Sequence, residues 1–81
     1  MAETIALSAL TVGTSAILKG YPSQGTAFIR LREMGLLPGT RLLLVRAAPM
    51  GDPLEIKVRG YNLTLRKSEA DHIDVEPVAD S

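Results

Sequence analysis

The chain has 81 residues, room for one domain, and 46% of them are hydrophobic, too rich a share for disorder. Nine Lys and Arg balance nine Asp and Glu, which counts against a nucleic-acid module, since such modules gain affinity by neutralising phosphates. The absence of cysteine and the single histidine exclude disulfide scaffolds, thiol catalysis and multi-histidine metal cages. Aromatic residues make up only 4%, so the core must be aliphatic and there is little material for base-stacking platforms.

The zero net charge conceals a segregation. Between Arg30 and Lys67 eight cations face three carboxylates, whereas Ser68 to Ser81 carries five carboxylates and no Lys or Arg. Whether these stretches lie together in space decides if any field survives. No basic start leads into a long apolar stretch, and no apolar run reaches membrane-spanning length. The cytoplasm is the expected location, with no direct membrane insertion.

In chain order, Leu7 and Leu10 are three apart, which fits one helical turn or an extended arm. Thr14 to Lys19 reads as a short strand ending at the Gly20-Tyr21-Pro22 break. Thr26 to Met34 reads as the one substantial helix, with Ala27, Phe28, Leu31 and Met34 on its inner arc and Ser23 or Thr26 as cap. Gly35 stands where a left-handed residue ends a helix, and Leu36 is placed to fold back as in a Schellman motif. Pro38 and Gly39 occupy the centre of a type II turn. The strand Thr40 to Ala47 is apolar on both faces, as if covered twice or crossing from core to partner surface.

The segment from Ala48 to Pro53 joins it to the clearest strand, where Leu54, Ile56 and Val58 alternate with Glu55, Lys57 and Arg59. Gly60 permits a tight turn, and Tyr61, Leu63 and Leu65 alternate again. Ser68 caps a one-turn helix through Asp71, and Ile73 and Val75 alternate with His72, Asp74 and Glu76 in a last strand. A frayed tail is expected over Pro77 to Ser81, outside a core of about residues 7–76. Five short strands and one helix predict a mainly β fold, a small SH3-like or OB-like antiparallel barrel with the helix plugging one end.

Three segments carry a resemblance. Arg30 to Thr40 is similar to the RLxxMGLxPG signature of the FeoA family, and Arg46 to Pro53 to its RxAPxGDP loop. Val58 to Ala70 is similar to its VxGxxLxLRxxEA segment, and Leu7, Leu10 and Gly13 resemble its opening. The resemblance runs from about Leu7 to Val75 and implies an SH3-like barrel, related to the C-terminal domain of DtxR-type iron regulators. It also implies a non-enzymatic, cytosolic role in bacterial ferrous iron uptake, docking on FeoB, a membrane permease with a GTPase domain. The alternative is a free-standing regulatory domain that binds a proline-containing peptide, with Tyr21, Phe28 and Tyr61 as groove walls.

Most of the signature reads as scaffold. Gly35, Gly39 and Gly60 are expected at positive φ, Pro38 and Pro53 in turns, and Leu31, Met34, Leu63 and Leu65 in the core. The loop around Pro49, Met50 and Asp52 differs, because two prolines stiffen a tip that presents an apolar side chain. With Arg46, Arg59 and Arg66 it forms the candidate partner-binding set; the plainer reading is a hairpin connection in which Asp52 bonds to the backbone ahead of Pro53. His72, Asp74 and Glu76 are weak metal candidates, because alternate strand positions lie about 6.6 Å apart and rarely converge on one ion. No phosphate loop and no Ser-His-acid set is present, so no cofactor and no catalysis are expected. An exposed barrel edge is a route to weak homo-oligomers.

Overall fold

The computed structural model describes residues 3–78. The strands are β1 (Ile5–Ala6), β2 (Ser15–Gly20), β3 (Arg41–Ala47), β4 (Leu54–Val58), β5 (Tyr61–Leu65) and β6 (Asp74–Val78). A 3-10 turn follows β1 at Leu7–Ala9, α1 (Thr26–Glu33) lies between β2 and β3, and α2 (Lys67–Ala70) between β5 and β6. All strand pairs are antiparallel, in the order β1-β6-β2-β3-β4-β5. Among the described residues the ends of that order do not pair with each other, so the barrel is open there between β1 and β5.

The described residues form six strands rather than five. The extra one, β1, is two residues long and pairs with Val75 and Asp74, a partner no local pattern could announce. The last strand starts at Asp74 and includes Pro77 and Val78, so the expected tail begins too early and His72 falls outside the strand. The remainder of that tail lies outside the described residues.

Alternation built the sheet as physical chemistry requires. Leu54, Ile56 and Val58 of β4 and Leu63 and Leu65 of β5 point inward and are buried. β3 buries Leu42 and Leu44 and leaves Leu43 and Val45 half-buried on its other face. With Leu7, Leu18, Leu36, Ile73 and Val75 these form a core that is aliphatic throughout.

The helix end departs from expectation at one residue. Gly35 has φ +92, and Leu36 N–H bonds to Leu31 C=O at 3.0 Å while Gly35 N–H bonds to Arg32 C=O at 3.0 Å, a Schellman pair. This reversal carries Leu36 into the core and turns Met34 outward. Met34 is 42% exposed and not a core residue, whereas Leu31 is 1% exposed. Neither Ser23 nor Thr26 caps α1; Gly25 holds the N-cap position without a side-chain bond. Nor does Ser68 cap α2, which starts two residues earlier with Arg66 at the N-cap. There the Glu69 carboxylate accepts from Arg66 N–H at 3.0 Å, and the guanidinium has no acceptor with which to complete a capping box.

Arg59 and Gly60 form the two-residue turn between β4 and β5, both at positive φ (46 and 89), as a type I′ turn demands. Gly39, with φ 94, sits as expected in the turn whose Thr40 N–H bonds to Leu37 C=O at 3.0 Å.

Candidate functional site

The Ala48 to Pro53 loop is pinned at its base and free at its tip. Ala48 N–H donates to Pro53 C=O at 3.0 Å, and Gly51 N–H to Ala48 C=O at 2.7 Å. The Asp52 carboxylate accepts from Lys67 N–H at 3.0 Å. Asp52 therefore bonds to the start of α2 rather than to its own loop, tying loop to helix. Met50 projects from this brace with 90% of its surface exposed, the most exposed of the large apolar side chains described.

The three candidate arginines do not form one patch. Arg46, near the end of β3, pairs with Glu55 at 3.2 Å across the register. Arg66 stands beyond the far end of β5, and Arg59 at the hairpin tip is roughly 15 Å away along the strand. Arg59 instead borders a cleft of 450 Å³ with Arg41 and Lys57.

A larger cleft, of 670 Å³, opens between α1 and the β5–α2 corner. One wall is Thr26, Ala27 and Arg30 of α1; the other is Thr64, Leu65 and Arg66. Sequence reasoning misses it, because its walls are some forty residues apart in the chain. Both clefts take cations from elements that only the topology brings together.

The metal candidates do not converge. His72 lies in the turn before β6, edge-on to Phe28 with ring centroids 6.4 Å apart. Glu76 pairs with Lys19 at 3.0 Å, and among the described residues no three His, Asp or Glu side chains form a group that could hold a metal ion. The tyrosines are engaged in the fold: Tyr21 hydroxyl donates to Leu36 C=O at 2.6 Å, and Tyr61 hydroxyl to Met34 C=O. Tyr21 also stacks on Phe28, with ring centroids 6.0 Å apart. Asp71 accepts from the Ser8 hydroxyl, and this bond, helped by the Lys67 ammonium at 3.6 Å, holds its carboxyl below the usual range.

Comparison with known proteins completes the picture. The FeoA domain profile matches residues 5–77. The chain belongs to the FeoA domain family. A curated relative, the Fe(2+) transport protein A/Fe(2+) transporter FeoB fusion protein of Porphyromonas gingivalis, is 33% identical over 73 residues. That match takes in 90% of this chain but 9% of the relative, so the chain spans about a tenth of the relative's length. The solution structure of a FeoA-like protein from Clostridium acetobutylicum superposes with TM-score 0.86 at 33% identity, covering 100% of this chain and 94% of that one. Stenotrophomonas maltophilia FeoA, described as an SH3 domain protein and solved with zinc, gives TM-score 0.74 at 32% identity, covering 93% and 88%. A manganese-dependent transcriptional repressor reaches TM-score 0.82 at 14% identity over 96% of this chain and 44% of that one, which shows a shared fold alone. The fold is thus mainly β and SH3-like. No helix among the described residues is long and apolar enough to cross a membrane.

Proposed function

We propose that this FeoA-family protein is a non-enzymatic accessory factor of ferrous iron uptake. It docks in the cytoplasm on the cytosolic part of a FeoB-type GTPase and permease and modulates its activity or assembly. The observation that carries the reading is the Porphyromonas gingivalis relative, in which a matching segment and a FeoB transporter form one polypeptide. Fusion gives two domains a high effective concentration, an arrangement of use only to domains that work together. The Met50 tip, rigid at its base and apolar at its end, is the contact best suited to a partner surface.

Titrating the protein against full-length FeoB in membranes, with binding and GTP hydrolysis recorded, tests the reading. Saturable binding with altered hydrolysis is expected, and neither effect at high protein concentration refutes it. Met50→Asp is expected to weaken docking at least tenfold, as loss of a central apolar contact does. Its melting temperature should stay within about 3 °C of the parent, since surface substitutions cost within ~0.5 kcal/mol. Leu63→Asp, which puts a charge into the core, is the unfolded control.

A further inference from the structure

The free edge of β5 and the cleft beside it make a second site, lined by Pro53 at the base of the docking loop but not by its Met50 tip. The two-residue turn fixes the hydrogen-bonding phase of the hairpin. Val58 and Tyr61 flank the turn and exchange bonds, so Ile56 with Leu63 and Leu54 with Leu65 do the same. Asn62 and Thr64 therefore direct their backbone N–H and C=O away from β4, toward the open edge. No backbone partner meets them among the described residues.

That edge is one wall of the 670 Å³ cleft. Thr64, Leu65 and Arg66 line it consecutively, and consecutive strand residues point to opposite faces, so the wall is the edge of the chain rather than a face. The opposite wall is α1, which runs antiparallel to β5: its C-terminal Met34 C=O meets Tyr61, while Arg30 and Thr26 stand across from Thr64 and Arg66. A helix that merely shielded the edge would press against it. Here α1 buries only Leu31, and the space between stays open. Its volume is within the range of ligand-binding clefts.

The chemistry of the walls selects the occupant. Ala27 and Pro53 give apolar contacts, and no aromatic ring lines the cleft, which disfavours a polyproline ligand. Arg30 and Arg66 form no carboxylate ion pair among the described residues. The one acidic wall residue, Glu69, has a carboxylate oxygen committed to Arg66 N–H. We propose that the cleft between α1 and the free edge of β5 accepts an extended acidic segment of a partner protein, which adds to the sheet as a further strand. Backbone bonds to Asn62 and Thr64 supply affinity, and carboxylates of the segment meet Arg30 and Arg66. The inference stands on the cleft and does not require that FeoB supply the segment.

The test is an amide NMR titration of the full chain with a hexapeptide of alternating valine and aspartate, and with its valine-lysine counterpart. Shifts should centre on Ala27, Arg30, Asn62 and Thr64, and exchange of the Asn62 and Thr64 amides should slow at least tenfold at saturation. The lysine peptide should bind at least tenfold more weakly. Thr64→Pro deletes an outward N–H without touching the β4 ladder, a position where edge strands accept proline, and should abolish binding. Arg66→Glu should weaken it at least fivefold at unchanged melting temperature, and it carries the test if the proline variant unfolds. The proposal is overturned by any of three results: no shifts at millimolar acidic peptide, equal binding of the lysine peptide, or protection of the edge that grows with protein concentration alone. The last would mean that a second copy fills the edge.

Discussion

Ser8 and Asp71 are 63 residues apart, and their bond fastens the 3-10 turn after β1 to the end of α2. Asp71 is exposed, so its weight shows as a dependence on pH rather than as buried energy. The Ser8 bond, first among the causes, favours the ionised carboxylate and depresses the folded-state pKa. A depressed carboxylate stabilises the fold above its unfolded pKa, and that contribution is lost as pH falls through the folded value. Ser8→Ala is therefore expected to lower the urea midpoint at pH 7, and the gap to the parent should close below about pH 4. Urea titrations at pH 7 and pH 2.5 check this; a gap that persists at the lower pH would assign the bond no electrostatic role.

Among the elements, α1 is the outlier. It is bound to the sheet by Leu31, by the half-buried Ala27 and Phe28, and at its end by the two tyrosine hydroxyls, while Ile29 and Met34 stay exposed. β3 and β4, by contrast, lie between neighbours on both sides and bury alternate residues throughout. Local opening follows buried contact, so α1 amides are expected to exchange at least tenfold faster than those of β3 and β4 under native conditions. Hydrogen exchange measures it, and equal protection would mean that helix and sheet open as one unit. β4 and β5 were legible because period-two alternation is a local signal, and β5 matches its expected bounds, whereas β2 and β3 are marked by strand-forming apolar residues between Gly and Pro breaks. Met34 was not: at helical spacing it belongs with Leu31, but the Schellman reversal at Gly35 hands the inner position to Leu36. β1 was illegible for a different reason, since two residues carry no period and their partner lies at the other end of the chain. The α1–β5 cleft was hidden likewise, for alternation shows which face of β5 is inward but not which strand is left at the edge.

At the scale of the whole molecule, the charge segregation read along the chain is partly undone in space, since Lys67 of the basic stretch pairs with Asp71 of the acidic one at 3.6 Å. β6, with Asp74 and Glu76, lies between β1 and β2, and the hairpin carrying Lys57 and Arg59 is at the opposite end of the strand order. Glu76 is compensated by Lys19 from outside the basic stretch, whereas Lys57 and Arg59 form no carboxylate ion pair among the described residues and keep the tip of the β4–β5 hairpin positive. Such a polarity in a molecule of zero net charge acts through orientation: it turns the protein as it approaches a charged partner without raising non-specific attraction. If docking on FeoB uses this field, replacing Lys57 and Arg59 by Glu should slow association on the order of tenfold at low ionic strength. Dissociation should change little, because these side chains stand apart from the Met50 tip. The difference should fade as salt shortens the Debye length to about 3 Å near 1 M. Stopped-flow binding to FeoB-bearing vesicles across a salt series separates the cases. An effect confined to dissociation would place Lys57 and Arg59 in the contact itself, and no effect at any salt would leave docking to the apolar loop alone.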